Sequence, residues 1–456
     1  MLGLLRARKV DATKGSIIRS LIIYTVPIII STLIQGLFNT VDMIVLAKMS
    51  DSVAYASVGA TTSIVYLLVN TFIGLSTGVK VMISRYYGAK DEKNAEKTVS
   101  TALLSSFFIG VVVAVVGFVL APSFLRWTNC PEECFEGALI YIRLYVAASP
   151  AILVYNFGAA ILRSVGDSQR PLYYIIVCGL LNISLNVILC FILSQKVAAV
   201  AIATVASQIL GAVLVLAALS KNDGIGRFEL KKMTWDTSSF FKILRFGLPS
   251  AVTTALFPIA NLQIQAAINS YGVAAMSGNT AAIALENFPG AFTAGLNAAA
   301  TAFVGQNLGA EKHDRVKKTI IHCLWLGTLV TAFVGFFIYF TGDFWLAIVQ
   351  PDDPAAYGYA RVRMACILLF YSFTAVANVL SGAIQSYGYA TLNTATTLFS
   401  VLGFRVIWMF FVYPRFETFE VLMACFSVSW VLRMVLYVAV FFYVYSRYKK
   451  GKYVKI

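Results

Sequence analysis

The sequence predicts an all-α membrane protein: twelve transmembrane helices in two six-helix lobes related by a parallel internal repeat. Three observations predict it. The 456 residues are 59% hydrophobic and only 12% charged, which lies outside the range of soluble globular chains. Apolar runs of about 20 residues or more, long enough to cross a hydrocarbon core of roughly 30 Å as helices, recur along the whole chain and leave no room for a large soluble domain. Motifs of the first half also return in the second at a nearly constant spacing.

A basic tail, residues 1–16, comes first. The run that follows it is too long for a signal-peptide core and no small-residue cleavage site succeeds it, so it is retained as a helix. Spans near residues 17–45, 55–82, 98–121, 138–162, 171–193 and 197–219 make an N-lobe, 17–220. A basic stretch, 221–241, links it to a C-lobe, 242–446, with spans near 242–269, 278–305, 318–341, 360–386, 391–413 and 419–446, and residues 447–456 form a second basic tail. The repeat is read from three pairs of segments. "YTVPIIISTLIQGLFNTVD" aligns with "FGLPSAVTTALFPIANLQI", pairing Pro27 with Pro249, Ser31 with Thr253, Thr32 with Thr254 and Asn39 with Asn261. "GLSTGVKVMISRYYGAKDEKNAEKT" aligns with "GLNAAATAFVGQNLGAEKHDRVKKT", pairing Gly74 with Gly295 and Gly88 with Gly309. "ILRSVGD" aligns with "AIQSYGY", pairing Ser164 with Ser386 and Gly166 with Gly388. An even number of helices per copy gives both copies the same orientation about an axis along the membrane normal. Transporters built this way hold substrate between their halves and work by alternating access.

The net charge of +15 is explained by topology. Arg85, Lys90, Lys93 and Lys97, then Arg163 and Arg170, the 221–241 linker, Lys312 to Lys318 and both tails fall in alternate connections, while the opposite loops carry only Lys48, Arg126, Lys196 and Arg415. The positive-inside rule then places both termini in the cytoplasm of a bacterial-type inner membrane, with anionic lipid rather than nucleic acid as the basic partner. No GxxxxGK[ST] loop is present to use ATP, and no HExxH or Ser/His/Asp arrangement to make an intramembrane enzyme. The seven cysteines are scattered. Cys130 and Cys134 in "NCPEECFE" are four apart in an external loop, where free thiols are favoured over a local disulfide or a metal site because no His or third Cys is near.

Asp42 is the one acid in the first span. A charge at a helix centre costs roughly 2.5–3.5 kcal/mol on insertion scales, so it is expected to face the protein interior. Ser31, Gln35, Asn39 and Asp42 follow spacings that put them on one helix face. Asn182 and Asn186, i and i+4 in "CGLLNISLNVIL", and Thr204 in the sixth span add hard oxygen donors suited to a small cation or to a titrating carboxyl. For these three the alternative is interhelical packing by hydrogen bonds. Glu286, before Pro289, either attracts a cationic substrate or lies in water near the external end. Arg405 and Arg433 are expected to snorkel or to pair internally rather than to bind substrate.

The proline-bearing first helix with "NTVDMIVL", the segments "ISRYYGAKDEKNAEK", "ILRSVGDSQRPL" and "GQNLGAEK", and the paired asparagines of the fifth span together resemble the multidrug and toxic compound extrusion (MATE) family over essentially the whole chain. The resemblance implies a two-lobe secondary antiporter that exports amphipathic, often cationic organic compounds in exchange for H⁺ or Na⁺, with no other cofactor and as a monomer. It implies a cation site at Asp42, Asn182, Asn186 and Thr204, with Gln35, Asn39 and Glu286 as candidates to line the substrate cavity. Many relatives carry Asp where this chain has Asn186, which leaves one formal negative charge and both ions open. The NorM branch carries Glu where this chain has Phe257, so the DinF-like branch is the nearer resemblance. The rival reading is a flippase for lipid-linked precursors or polysaccharides, which shares the helix plan but needs basic groups in its cavity to hold pyrophosphate. A channel or receptor-like protein is disfavoured by the tandem repeat with its one-sided carboxylate.

Overall fold

The computed structural model describes residues 9–222, 224–349 and 354–451, and leaves the side chains of Asn39, Ile259, Leu262 and Val349 undescribed. All regular structure among these residues is helical. In chain order the helices are α1 (Ile17–Met49), α2 (Ser52–Ala89), α3 (Glu92–Trp127), α4 (Glu132–Ala147), α5 (Ser149–Ser164), α6 (Gln169–Ile192) and α7 (Lys196–Ser220). After the linker come α8 (Thr237–Ser270), α9 (Val273–Gly309), α10 (His313–Phe340), the short α11 (Gly342–Val349), α12 (Pro354–Leu368), α13 (Tyr371–Ser386), α14 (Ala390–Phe416) and α15 (Phe419–Lys449). Asp51, Asp91 and Thr418 cap α2, α3 and α15 by accepting from Ala54, Asn94 and Val421 N–H groups, as short oxygen-bearing side chains do at helix starts.

Nine of the described helices are long and apolar enough to cross a bilayer, and two bent pairs, α4 with α5 and α12 with α13, bring the number to eleven. The twelfth is α9, which has the length, 37 residues, but whose buried face is built from Gly295, Ala298, Ala299, Thr301, Ala302 and Asn307 rather than large apolar groups. Small residues let helices approach closely where lipid offers no hydrophobic drive to associate. The fourth and tenth spans, each a single run in the sequence, are broken by 47° and 42°. The first break precedes Pro150 and the second has no proline, so the bend belongs to the repeated architecture rather than to the residue.

Two compact units result: Ile30–Ala251 with Val10, and Asp11–Ile29 with Val252–Ile456. The assignment changes along α1 just after Pro27 and along α8 just after Pro249, which are paired positions of the repeat. Inside each unit the repeat is visible atom by atom. Ser164 Oγ of α5 donates to the Lys80 carbonyl of α2 at 3.2 Å, and Ser386 Oγ of α13 donates to the Thr301 carbonyl of α9 at 2.8 Å. Lys90 and Glu311 end the matched helices at φ 56° and 55°. In the first unit a β-carbon on Gly78 would meet the Ile243 carbonyl at 2.3 Å, so α2 and α8 cross at backbone contact.

The start of α8 is fixed to α3 within that unit. Asp236 N–H donates to Thr101 Oγ1 at 3.0 Å, and Thr98 and Ser239 share a hydroxyl contact of 3.3 Å. Hydrogen bonds from Ser239 hold the Asp236 carboxyl below the usual carboxylate range.

Gly166 turns the chain at φ +87°, and a β-carbon there would meet the Val10 carbonyl at 2.0 Å; its own carbonyl accepts from Val10 N–H at 3.0 Å. Gly166→Ala is therefore expected to lower thermal stability in detergent by about 1–3 kcal/mol through a strained backbone and a lost contact. Gly59→Ala, where nothing lies within 4 Å, is expected to leave the melting temperature unchanged.

Candidate functional site

In the first unit α1, α6 and α7 bring the expected residues together. The α6 face that turns inward runs Ile175, Gly179, Asn182, Asn186 and Cys190, all buried, a helical stripe at spacings of three and four. Gly179 sets the approach of α1, because a β-carbon on it would lie 1.8 Å from the Phe38 ring. The Phe38 ring thus occupies the room Gly179 leaves, and Asp42, one turn further along α1, arrives beside Asn186, two turns further along α6. Leu46, Val58, Cys190, Val197, Ala199 and Val200 pack beneath with Met43 and Tyr141.

Asn186 Nδ2 donates to Asp42 Oδ1 at 2.6 Å and to Asn182 Oδ1 at 3.3 Å. Asn182 is 6% exposed and Asn186 fully buried, while Asp42 and Thr204 are half-buried. The Asn182 amide terminus stands 2.6 Å from Asp42 Oδ1 and 3.2 Å from Oδ2. With its nitrogen toward Asp42, Asn182 donates to a carboxylate. Turned the other way, its nitrogen reaches Thr204 Oγ1 at 3.4 Å. Thr204 donates to the Val200 carbonyl at 3.0 Å, which leaves its lone pairs facing the cluster. Asn186 Oδ1 is buried with no hydrogen-bond partner. Asp42, Asn182, Asn186 and Thr204 thus form one polar cluster, linked through the two asparagine amides.

Tyr141 of α4 also belongs here, packed against the cluster of Leu46, Cys190 and Val200. The sequence reading did not single it out, since one tyrosine in an apolar span carries no periodic signal. Gln35 lies exposed on α1, and the side chain of Asn39 is outside those described. All seven cysteines are unbridged, and Cys130 Sγ contacts the Pro131 carbonyl.

The second unit holds a different set of polar groups. Glu286 of α9 forms a bidentate pair with Arg363 of α12, Nε to Oε1 at 2.6 Å and Nη2 to Oε2 at 2.8 Å, with side chains 13% and 7% exposed. Arg363 also donates to Asn279 at 2.7 Å. Of the two positions open to Glu286 in the sequence reading, neither describes this neutralised pair. Arg363 escaped notice because it begins a predicted span. Arg405 and Arg433 are 3% and 4% exposed and do not snorkel: Arg405 donates to Asn261, and Arg433 to Asn378 at 2.8 Å.

A family profile described as MatE matches residues 27–188 and 249–411, one match on each copy of the repeat. A protein named "Probable multidrug resistance protein YoeA" from Bacillus subtilis is 26% identical over 90% of both chains. Among solved structures, a MATE protein crystallised with MaL6 superposes with a TM-score of 0.88 at 21% identity, covering 97% of this chain and 99% of its own. A MOP superfamily transporter from Pyrococcus furiosus, described as having a binding pocket of reverse polarity that suggests a different function, superposes at 0.86 and 21% identity, covering 96% and 98%. At that identity the structures share the fold.

The Phe38–Gly179 seat yields a direct expectation. Gly179→Val should destabilise the protein in detergent by about 1–3 kcal/mol, the usual cost of overpacking. Phe38→Ala in the same chain should recover most of that loss, as a thermal-shift measurement on the two single variants and the double variant would show.

Proposed function

The chain belongs to the MatE family, and from that premise we propose that it is a secondary active multidrug efflux antiporter. It exchanges H⁺ or Na⁺ for amphipathic, often cationic organic compounds by alternating access, in a bacterial-type inner membrane with both termini cytoplasmic. The naming of relatives such as YoeA as probable multidrug resistance proteins supports the substrate class. The observation that carries the coupling is the convergence of Asn182 and Asn186 on the one carboxyl of α1. Asp42 binds the driving proton or cation, and Asn182, Asn186 and Thr204 complete the site. Gln35, on the same α1 stripe, lines the path of the substrate. The lobes of this reading are residues 17–220 and 242–446, and the DinF-like branch is its nearest family setting.

The energetics suffice. A membrane potential of about 100 mV supplies roughly 2.3 kcal/mol per inward elementary charge, enough for somewhat less than a hundredfold gradient of a neutral substrate. Coupling needs only that ion and substrate favour different states or compete for one.

The flippase reading keeps one supporting observation. Arg363, Arg405 and Arg433 are buried in the second unit, and basic interior groups suit a phosphate-bearing lipid.

In liposomes carrying the purified protein, Na⁺ and pH gradients imposed separately should show one ion driving efflux of several organic cations. Asp42→Asn, which keeps size and polarity but loses the titrating group, should reduce that driven component at least tenfold. Efflux at the parent rate in Asp42→Asn would remove Asp42 from the coupling role.

A further inference from the structure

The repeat places one polar contact on each equivalent helix pair, with opposite charge. In the first unit Asp42 of α1 meets Asn186 of α6, 144 residues apart. In the second, Asn261 of α8 meets Arg405 of α14, also 144 apart. Asn261 is the repeat partner of Asn39, one turn before Asp42, whereas Ile264 fills the position of Asp42 itself and is buried. The acid of the first copy has thus gone and an arginine faces the same helix from the other side.

The surroundings of that arginine are unusual. Arg405 lies in a single α-turn, Phe404–Ile407, between two wide π-helical stretches, Leu398–Gly403 and Trp408–Val412, a distortion frequent at functional sites. Its guanidinium stacks 4.5 Å from the centroid of Phe426, and Arg363 approaches the same ring at 5.1 Å. Arg433, from the middle of α15, lies over Phe257 and Tyr437 at 5.4 and 5.3 Å. Glu286 is the single carboxylate in the interior of this unit's described spans, and Arg363 occupies it on both oxygens. Arg405 and Arg433 are left with neutral amides and aromatic faces, and the Nε of each is buried without a hydrogen-bond partner. Two buried cations with no counter-charge are costly in a low dielectric, and a planar guanidinium fork is matched by an oxyanion. The exposed Asn261 connects Arg405 to the surface of the unit.

Resting on the reading of this chain as a transporter, we infer that Arg405 and Arg433 bind an oxyanion, the carboxylate or phosphate of an amphipathic substrate. The substrates then include zwitterions and anions as well as cations, with Asp42 handling the driving ion in the other unit. Glu286 holds Arg363 and leaves the remaining two arginines for the ligand.

Matched probes test this on the full chain in liposomes: a rhodamine free acid, its ethyl ester, and a short-chain fluorescent lipid phosphate. The parent should bind and export the free acid about tenfold better than the ester, the scale of a charge-assisted bidentate contact. Arg405→Gln with Arg433→Gln should abolish that preference while ester export continues, which shows the variant folded. Arg405→Lys should keep part of the preference, because it keeps charge without the fork. Translocation of the lipid phosphate alone, lost in the double variant, would support the oxyanion site and identify a lipid as its source. Equal handling of acid and ester with no lipid-phosphate transport, or a preference that survives the double variant, would overturn the proposal and leave the efflux reading intact. Movement of no probe would overturn both.

Discussion

Asp42 is a half-buried carboxyl in a predominantly apolar helix long enough to span a bilayer, and the organisation of the first unit follows from that constraint. An ionisable group in such a helix persists only if protein groups surround it. The α6 stripe supplies two amides and α7 a hydroxyl, and Gly179 clears the room that lets α1 come close enough to use them. The resulting cluster is under-filled in one respect: Asn186 Oδ1 has no partner. A purely structural network would be expected to satisfy each of its buried members.

The same constraint explains how a duplicated chain diverged. The shared scaffold is retained where it carries packing: the Ser164 and Ser386 bonds, the left-handed ends at Lys90 and Glu311, and the broken fourth and tenth spans. It differs where polar side chains point inward. The first unit keeps a carboxyl among amides, and the second keeps three arginines of which one is neutralised by Glu286. The two copies thus present different charged groups at equivalent helix contacts on one backbone plan.

Most of the fold was legible in the sequence because membrane spans and a tandem repeat are long-range, redundant signals. Each of the twelve apolar runs falls on helix, including α9, whose glycines and alanines weaken its hydropathy without shortening it. The convergence of Asp42, Asn182, Asn186 and Thr204 was also legible, since helical spacing sorts residues onto faces and an intramembrane acid demands company. What was not legible depends on pairings across helices. The Glu286–Arg363 bond joins residues 77 apart on helices whose faces cannot be matched by periodicity. Tyr141 and the Phe38–Gly179 seat likewise involve residue types that are ordinary in any span. The bend between α12 and α13 lacks a proline, so no local residue announced it.

The central claim is that Asp42 changes its protonation or ion occupancy as substrate binds. Infrared difference spectra of the purified protein, recorded on adding substrate, read that change directly from the carboxyl and carboxylate bands. The account predicts a paired loss and gain of these bands in the parent and their absence in Asp42→Asn. An unchanged carboxyl region in the parent, or the same difference bands in Asp42→Asn, would contradict it.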